Sequence, residues 1–207
     1  MAPSTRSAGY RCSIPGLAGF AGVPSPGTAS YLSQNGPEIQ PARVKERVMG
    51  NLEPGSKPPA FTLPDQDDRP VKPSDYKGRW LILYFYPNDD TPGCTTEACD
   101  FTNGLKDFEK LDAAVVGCSP NSTESHRKFI AKHKLKVSLL SDPTKETMKA
   151  YGAFGDKVLY GKKIIGVIRS TVIIGPDGKV AHQFGQVKAK GHAEAAQKKL
   201  RELQKKS

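Results

Sequence analysis

This sequence predicts an α/β fold of three layers, a central mixed β-sheet flanked by helices on both faces. Three observations carry that prediction. Apolar runs of strand length, Leu81–Tyr86 and Ala113–Cys118, alternate with segments of helical period. Near the end, two strands flank Pro176-Asp177-Gly178, a turn cluster that joins antiparallel neighbours. The stretch His192–Gln204 then reads as a closing helix. Strands separated by helices pair parallel and strands joined by a tight turn pair antiparallel, so the sheet is mixed and both faces need cover.

The elements follow in order. Pro59–Leu63 reads as a short strand and Asp65–Pro70 as a turn cluster. Trp80 to Tyr86 is a run of β-branched, aromatic or aliphatic residues closed by Pro87, a fully buried strand. The residues after Cys94 read as a helix, on which Phe101, Leu105, Phe108 and Leu111 form an apolar stripe. Ala113–Cys118 is a second buried strand. A helix over Ser122–Lys134 is opened by Asn121 or Ser122 as cap, with Glu124 in its first turn. Val137–Leu140 is a third strand, and a helix near Thr144–Tyr151 starts after Asp142-Pro143. Arg169–Ile174 and Lys179–Phe184 form the hairpin. The order β-α-β-α-β-α-β-β-α, with a cysteine at the start of the first long helix, resembles a thioredoxin-like fold.

Composition bounds the function. The chain has 207 residues, enough for one domain and an appendage. Four cysteines are too few for a disulfide scaffold and point to reactive or buried thiols. No apolar run is long enough to span a bilayer, so no membrane partner is expected. The net charge of +10 is uneven: residues 1–48 carry +3, the last ten residues +4, and everything between only +3. A basic tail on a near-balanced domain is a solvated helix end, so nucleic acid is not an expected partner.

Residues 1–48 are rich in Ser, Gly, Pro and Ala, with no acidic residue before Glu38. They are expected to be a disordered N-terminal extension preceding a domain over residues 49–207. Two readings of it stay open. One is an organelle transit peptide. The other is a misassigned start, because Lys45-Glu46 ahead of Met49 can be encoded by AAGGAG, a ribosome-binding sequence. A secretory signal fits less well, since Ile14–Val23 is short and broken by Pro15.

The chemistry concentrates in Thr91-Pro92-Gly93-Cys94-Thr95-Thr96-Glu97-Ala98-Cys99. A cysteine at a helix N-terminus faces unpaired N–H groups and the positive end of the macrodipole, which favour negative charge on sulfur. Such a sulfur can attack a peroxide if something aligns the O–O bond and stabilises the departing oxygen. Thr91 can place a hydroxyl there, and the backbone N–H groups of Gly93 and Cys94 can donate. Pro87 and Pro92 bracket the loop and shield the sulfur. Arg169 opens a strand with a permanent charge and a planar fork of donors.

Attack leaves a sulfenic acid on Cys94. Cys99 lies five residues on, which in a helix sets the two thiols about 140° apart in direction and about 7.5 Å apart along the axis. A disulfide wants Cα atoms within about 6.8 Å. Bonding Cys94 to Cys99 therefore requires the helix start to unwind, and Thr95 and Thr96 are weak helix formers that suit a start of low local stability.

From about residue 50 to 203 the chain resembles the peroxiredoxin family, in its peroxiredoxin Q or bacterioferritin comigratory protein branch. The Pro-x-x-x-Thr-x-x-Cys signature stands here as Pro87, Thr91 and Cys94, and the branch's Cys-x4-Cys pair as Cys94 and Cys99. Ser125-His126 with Phe129, Leu139–Asp142, Tyr151-Gly152, Gly166 with Arg169–Thr171, and Gly191-His192 also match. The resemblance implies a thiol peroxidase that reduces hydrogen peroxide and organic hydroperoxides in antioxidant defence. Cys94 would be peroxidatic, Cys99 resolving through an intramolecular disulfide, and Thr91 and Arg169 activating, with Pro87 and Gly93 lining the substrate site. Thioredoxin or a similar dithiol would recycle the enzyme, which would be a monomer without cofactor or metal. The expected compartment is the cytoplasm, or a plastid or mitochondrion if residues 1–48 are a transit peptide. Cys118 departs from the family's usual aliphatic residue, and Asn121 and Thr123 from more acidic choices.

Blander readings stand beside these. Cys99 can be an apolar filler on its helix, Arg169 a surface ion-pair partner, Cys118 a small core residue, and Cys12 without a role. A zinc site on Cys94 and Cys99 needs two further ligands, and His126, His133, His182 and His192 keep no ligand spacing with them. A thiol-disulfide oxidoreductase on the same fold would want Cys-x-x-Cys, and a non-catalytic binding module would need neither Thr91 nor Arg169.

Overall fold

The computed structural model describes residues 52–159 and 161–205, so the expectations for residues 1–48 and for Cys12 lie outside the described residues. Its centre is a five-stranded sheet in the order β5-β4-β3-β8-β9, built from β3 (Trp80–Phe85), β4 (Ala113–Ser119), β5 (Ser138–Ser141), β8 (Ser170–Ile174) and β9 (Val180–Phe184). β3, β4 and β5 run parallel, while β8 runs antiparallel to β3 and β9 antiparallel to β8. The predicted mixed sheet is what forms.

Side-chain alternation along β3 divides the core in two. Trp80, Ile82, Tyr84 and Tyr86 face one cluster, with Phe101 and Phe108 of α1 (Pro92–Lys110), Phe129 of α2 (Thr123–His133) and Ala196 and Leu200 of α4 (His192–Gln204). Leu81, Leu83 and Phe85 face the other, with Phe61, Met148 and Tyr151. That second face carries one short α-helix, α3 (Glu146–Ala150), the 3-10 turn Pro73–Tyr76 and the extended chain around Phe61, so helical cover is unequal between the faces. All six residues of β3 are buried, as a strand covered on both sides requires.

The local signals explain most boundaries. The Ser122 side chain caps α2 by accepting from the Ser125 N–H at 3.3 Å. Pro92 opens α1 where a missing N–H costs nothing, and Gly178, at φ 77°, closes the β8–β9 turn. Two regions differ from expectation. The strand expected at Pro59–Leu63 forms as β1 (Leu63–Pro64) paired with β2 (Pro70–Val71), because Phe61 is used instead to pack on Tyr151. An antiparallel hairpin of β6 (Phe154–Leu159) and β7 (Lys162–Val167) was not legible at all. Val158, Ile164 and Ile165 are exposed on it, so no buried face imposes the alternation that marks a strand in sequence.

The topology gathers three chain segments at one end of the central strands. Phe85, which ends β3, pairs with Ser170, which begins β8, and the parallel β4 ends alongside at Ser119. The loops leaving β3 and β4 and the residue entering β8 therefore converge.

Candidate active site

The loop from β3 to α1 is held from below by a buried carboxylate. Asp89 accepts hydrogen bonds from the Tyr86 hydroxyl at 2.7 Å, the Ser125 hydroxyl at 2.7 Å and Nδ1 of His126 at 2.9 Å. Nε2 of His126 meets the Leu140 carbonyl at 3.1 Å, which ties α2 and β5 to the same loop. Burial alone would raise the Asp89 carboxyl, but the hydrogen bonds from His126, Ser125 and Tyr86 outweigh it and hold it below its usual range. Asn121 adds a second tie: its side chain accepts from the Asp89 N–H at 3.0 Å and donates to Asn88 at 2.7 Å.

This frame sets Thr91 as the N-cap of α1 and Cys94 as its third residue. The Thr95 N–H bonds back to the Thr91 carbonyl at 2.8 Å, so the Gly93 and Cys94 N–H groups precede the first intrahelical bond and point out of the helix end. The Thr91 hydroxyl donates to the Asn88 carbonyl at 3.1 Å. Pro87 is half-buried and Gly93 exposed. A Cβ on Gly93 would meet Nη2 of Arg169 at 3.7 Å, ordinary contact, so crowding does not demand glycine there.

Cys94 is a free thiol and only 2% exposed. Nη2 of Arg169 donates to its sulfur at 3.1 Å across 75 residues of chain, while Nη1 donates to Oε2 of Glu97. Burial opposes the guanidinium charge, but the negative charges of Glu97 and Cys94 outweigh it and raise Arg169 above an already high value. Glu97 is completely buried one helical turn beyond Cys94, and its other oxygen meets Nδ1 of His192, the first residue of α4, at 2.7 Å. Tyr84 lies beneath; burial first, then the charges of Glu97 and Cys94, push its phenol well up. The arrangement is a buried sulfur in the first turn of a helix, faced by a fixed cation and competent to hold negative charge and deliver it to a small electrophile.

Of the predicted residues, the structure brings Arg169 against Cys94 and beside Gly93, while Thr91 caps the same helix and Pro87 lies in the loop leading into it. Cys99 sits on the same unbroken helix, also 2% exposed. It is disulfide-bonded, though not to Cys94, whose thiol is free. Cys118 lies fully buried in β4, where burial and then the Asp142 charge raise its thiol well up, as suits a core residue. Among the described residues no group of three His, Cys, Asp or Glu could hold a metal ion. A groove of about 880 Å³ lined by Lys57, Phe61, Lys72 and Ile174 lies at the other end of the sheet, where β8 finishes, and touches none of these residues.

Sequence reasoning missed Glu97, His192 and Asp89. Glu97 carried a faint signal, since a residue three after Cys94 shares its helix face. His192 had none beyond the match at Gly191-His192, because its partner is 95 residues away.

Known proteins resemble this chain in sequence and in fold. Residues 54–183 match the model of the AhpC/TSA family. A Mycobacterium tuberculosis protein named as a peroxiredoxin is 50% identical over 141 residues, covering 68% of this chain and 90% of its own. Peroxiredoxin Bcp of Bacillus subtilis is 41% identical over 155 residues, covering 75% of this chain and 99% of its own. A structure of Xanthomonas campestris bacterioferritin comigratory protein, from work on its alkyl peroxide reduction activity, superposes with a TM-score of 0.65 at 36% identity. That match covers 69% of this chain and 90% of the other.

Proposed function

Since the chain belongs to the AhpC/TSA family of peroxiredoxins and is a thiol-dependent peroxidase, we propose that Cys94 is the sulfur that attacks the hydroperoxide and Cys99 the thiol that resolves it. The observation that carries this reading is the 3.1 Å hydrogen bond from Arg169 to a cysteine sulfur at a helix N-terminus. The Cys94 thiolate displaces the distal peroxide oxygen's leaving group: an S–O bond forms, the O–O bond breaks, and the departing alkoxide takes a proton to leave as alcohol or water. Arg169 and the Gly93 and Cys94 amides stabilise the charge as it moves from sulfur to oxygen. Thr91 orients the peroxide, and Pro87 and Gly93 line its approach.

Cys94 is left as a sulfenic acid. In the reduced enzyme the Cys99 thiolate then attacks that sulfur: the Cys94–Cys99 S–S bond forms, the S–O bond breaks, and the departing hydroxide takes a proton to leave as water. The intact α1 cannot bring the two together, so its first turns unwind in each cycle. A dithiol protein of the thioredoxin type returns both cysteines to thiols. Hydrogen peroxide and organic hydroperoxides are both substrates on this reading, consistent with the alkyl peroxide reduction studied in the Xanthomonas relative. The enzyme works as a monomer in the cytoplasm, or in a plastid or mitochondrion if residues 1–48 serve as a transit peptide ahead of a domain starting near residue 49.

The test is peroxide-dependent oxidation of thioredoxin by the reduced protein. Cys94→Ser should abolish turnover. Cys99→Ser should keep the first oxidation of Cys94 and lose recycling by thioredoxin. Full steady-state activity in the second variant would remove Cys99 from the mechanism, and persisting peroxidase activity in the first would remove Cys94.

A further inference from the structure

The Glu97 carboxylate has two occupants, and only one of them touches the reacting sulfur. Oε2 accepts from Arg169, which reaches Cys94; Oε1 meets Nδ1 of His192. A carboxylate can only accept, so the proton of that contact sits on Nδ1. His192 is 3% exposed, and its ring stands edge-on to Phe101 at 5.5 Å and to Phe184 at 6.0 Å. Among the described residues, its second nitrogen, Nε2, is buried without a hydrogen-bond partner. A stranded polar atom in an aromatic pocket is unfavourable, and an apolar side chain would avoid it. What imidazole supplies here that an apolar side chain cannot is the Nδ1 bond to Glu97.

That bond joins two functions, because Glu97 lies between Cys94 and Cys99 on α1. We propose that His192 is a positioning residue for the peroxidatic cysteine, acting through Glu97 in two opposed ways. In the folded site it fixes the carboxylate that aims Arg169 at the Cys94 sulfur. By the same contact it ties to α4 the stretch of α1 that has to unwind before Cys99 can reach Cys94. Both Glu97 bonds exist only while that stretch is helical, so the contact speeds attack and slows resolution. A slower resolution leaves the sulfenic acid exposed to a second peroxide for longer, with sulfinic acid as the dead end. His192 thus sets the balance between turnover and overoxidation. This inference rests on the assignment of Cys94 and Cys99 made above.

The experiment uses the full chain, reduced, with three substitutions. His192→Leu removes the Nδ1 donor. His192→Gln places an amide near Nε2 instead and serves as a second loss variant should the leucine protein not fold. His192→Asn places an amide donor near Nδ1 and should restore the bond. Three quantities are read: the rate of Cys94 oxidation by hydrogen peroxide in stopped flow, the rate of Cys94–Cys99 disulfide formation by rapid quench and mass spectrometry, and the peroxide concentration that half-inactivates by overoxidation.

The expected result is opposite movement. Loss of a hydrogen bond to a charged group should slow oxidation on the order of tenfold, speed disulfide formation by a similar factor and raise the inactivating peroxide concentration, while His192→Asn stays near wild type. The inference is overturned if both rates fall or rise together, if neither moves, or if His192→Asn behaves like His192→Leu. Absence of any Cys94–Cys99 disulfide in the wild-type protein would overturn the cysteine assignment itself, whereas a normal wild-type disulfide with unmoved variants would overturn only the role of His192.

Discussion

Replacing Arg169 by methionine should separate two consequences of one side chain. The guanidinium donates to the Cys94 sulfur at 3.1 Å and to Glu97, whose side chain is completely buried, while the Arg169 side chain is itself only 14% exposed. A hydrogen bond to a charged group contributes about 1.5–3 kcal/mol, and each 1.4 kcal/mol is about tenfold in rate, so Cys94 oxidation should slow by about 10- to 150-fold. The same substitution leaves the Glu97 carboxylate with His192 as its remaining partner. Removing one member of a buried ion pair costs about 3–5 kcal/mol, and little of that is screened at this exposure. Adding Glu97→Gln to Arg169→Met removes the stranded charge and should recover most of the lost stability while the rate stays low. Stopped-flow oxidation and urea unfolding of the reduced proteins measure the two effects. Recovery of the rate in the double variant, or a single variant within threefold of wild type in rate, would refute the argument that Arg169 acts on the sulfur directly.

Other consequences can be checked at modest cost. Hydrogen exchange should show lower protection over Cys94–Phe101 in the oxidised than in the reduced protein, and equal protection would contradict unwinding of α1. Gly117→Ala should destabilise by about 1–3 kcal/mol, because its Cβ would lie 2.6 Å from the Tyr84 ring and 2.8 Å from Leu139; a urea midpoint within error of wild type would show that this packing is looser than it looks. Asp89→Asn should lower stability at neutral pH. Because the folded Asp89 is held below its unfolded value, its contribution is present above about pH 4 and lost as pH falls through the depressed folded value. The gap between wild type and Asp89→Asn should therefore narrow in acid unfolding measurements, and a gap unchanged at pH 2 would rule out the charge as its source. Ser122→Ala should cost about 1 kcal/mol through loss of the α2 cap, read by the same unfolding assay.

What the sequence by itself determined was everything that depends on near neighbours. The apolar run Trp80–Tyr86, the proline after it and the helical stripe from Phe101 place Cys94 at a strand-to-helix turn, because burial on both faces and helix capping leave their mark within a few residues. The α2 cap at Ser122, the turn at Gly178 and the whole of α4 were legible for the same reason. Tertiary structure alone decided the partners. Arg169 reaches Cys94 because β8 pairs antiparallel with β3 in a register that sets Ser170 beside Phe85, and no local pattern encodes a register. Nothing near Glu97 in the sequence names a partner for it; only the arrival of α4 and Arg169 on its face makes it a buried carboxylate with a partner on each oxygen. The β6–β7 hairpin leaves no mark in the sequence because exposed strands carry no burial period. Sequence pattern records which side of an element is shielded from water, while the identity of what shields it is settled by packing between segments far apart in the chain.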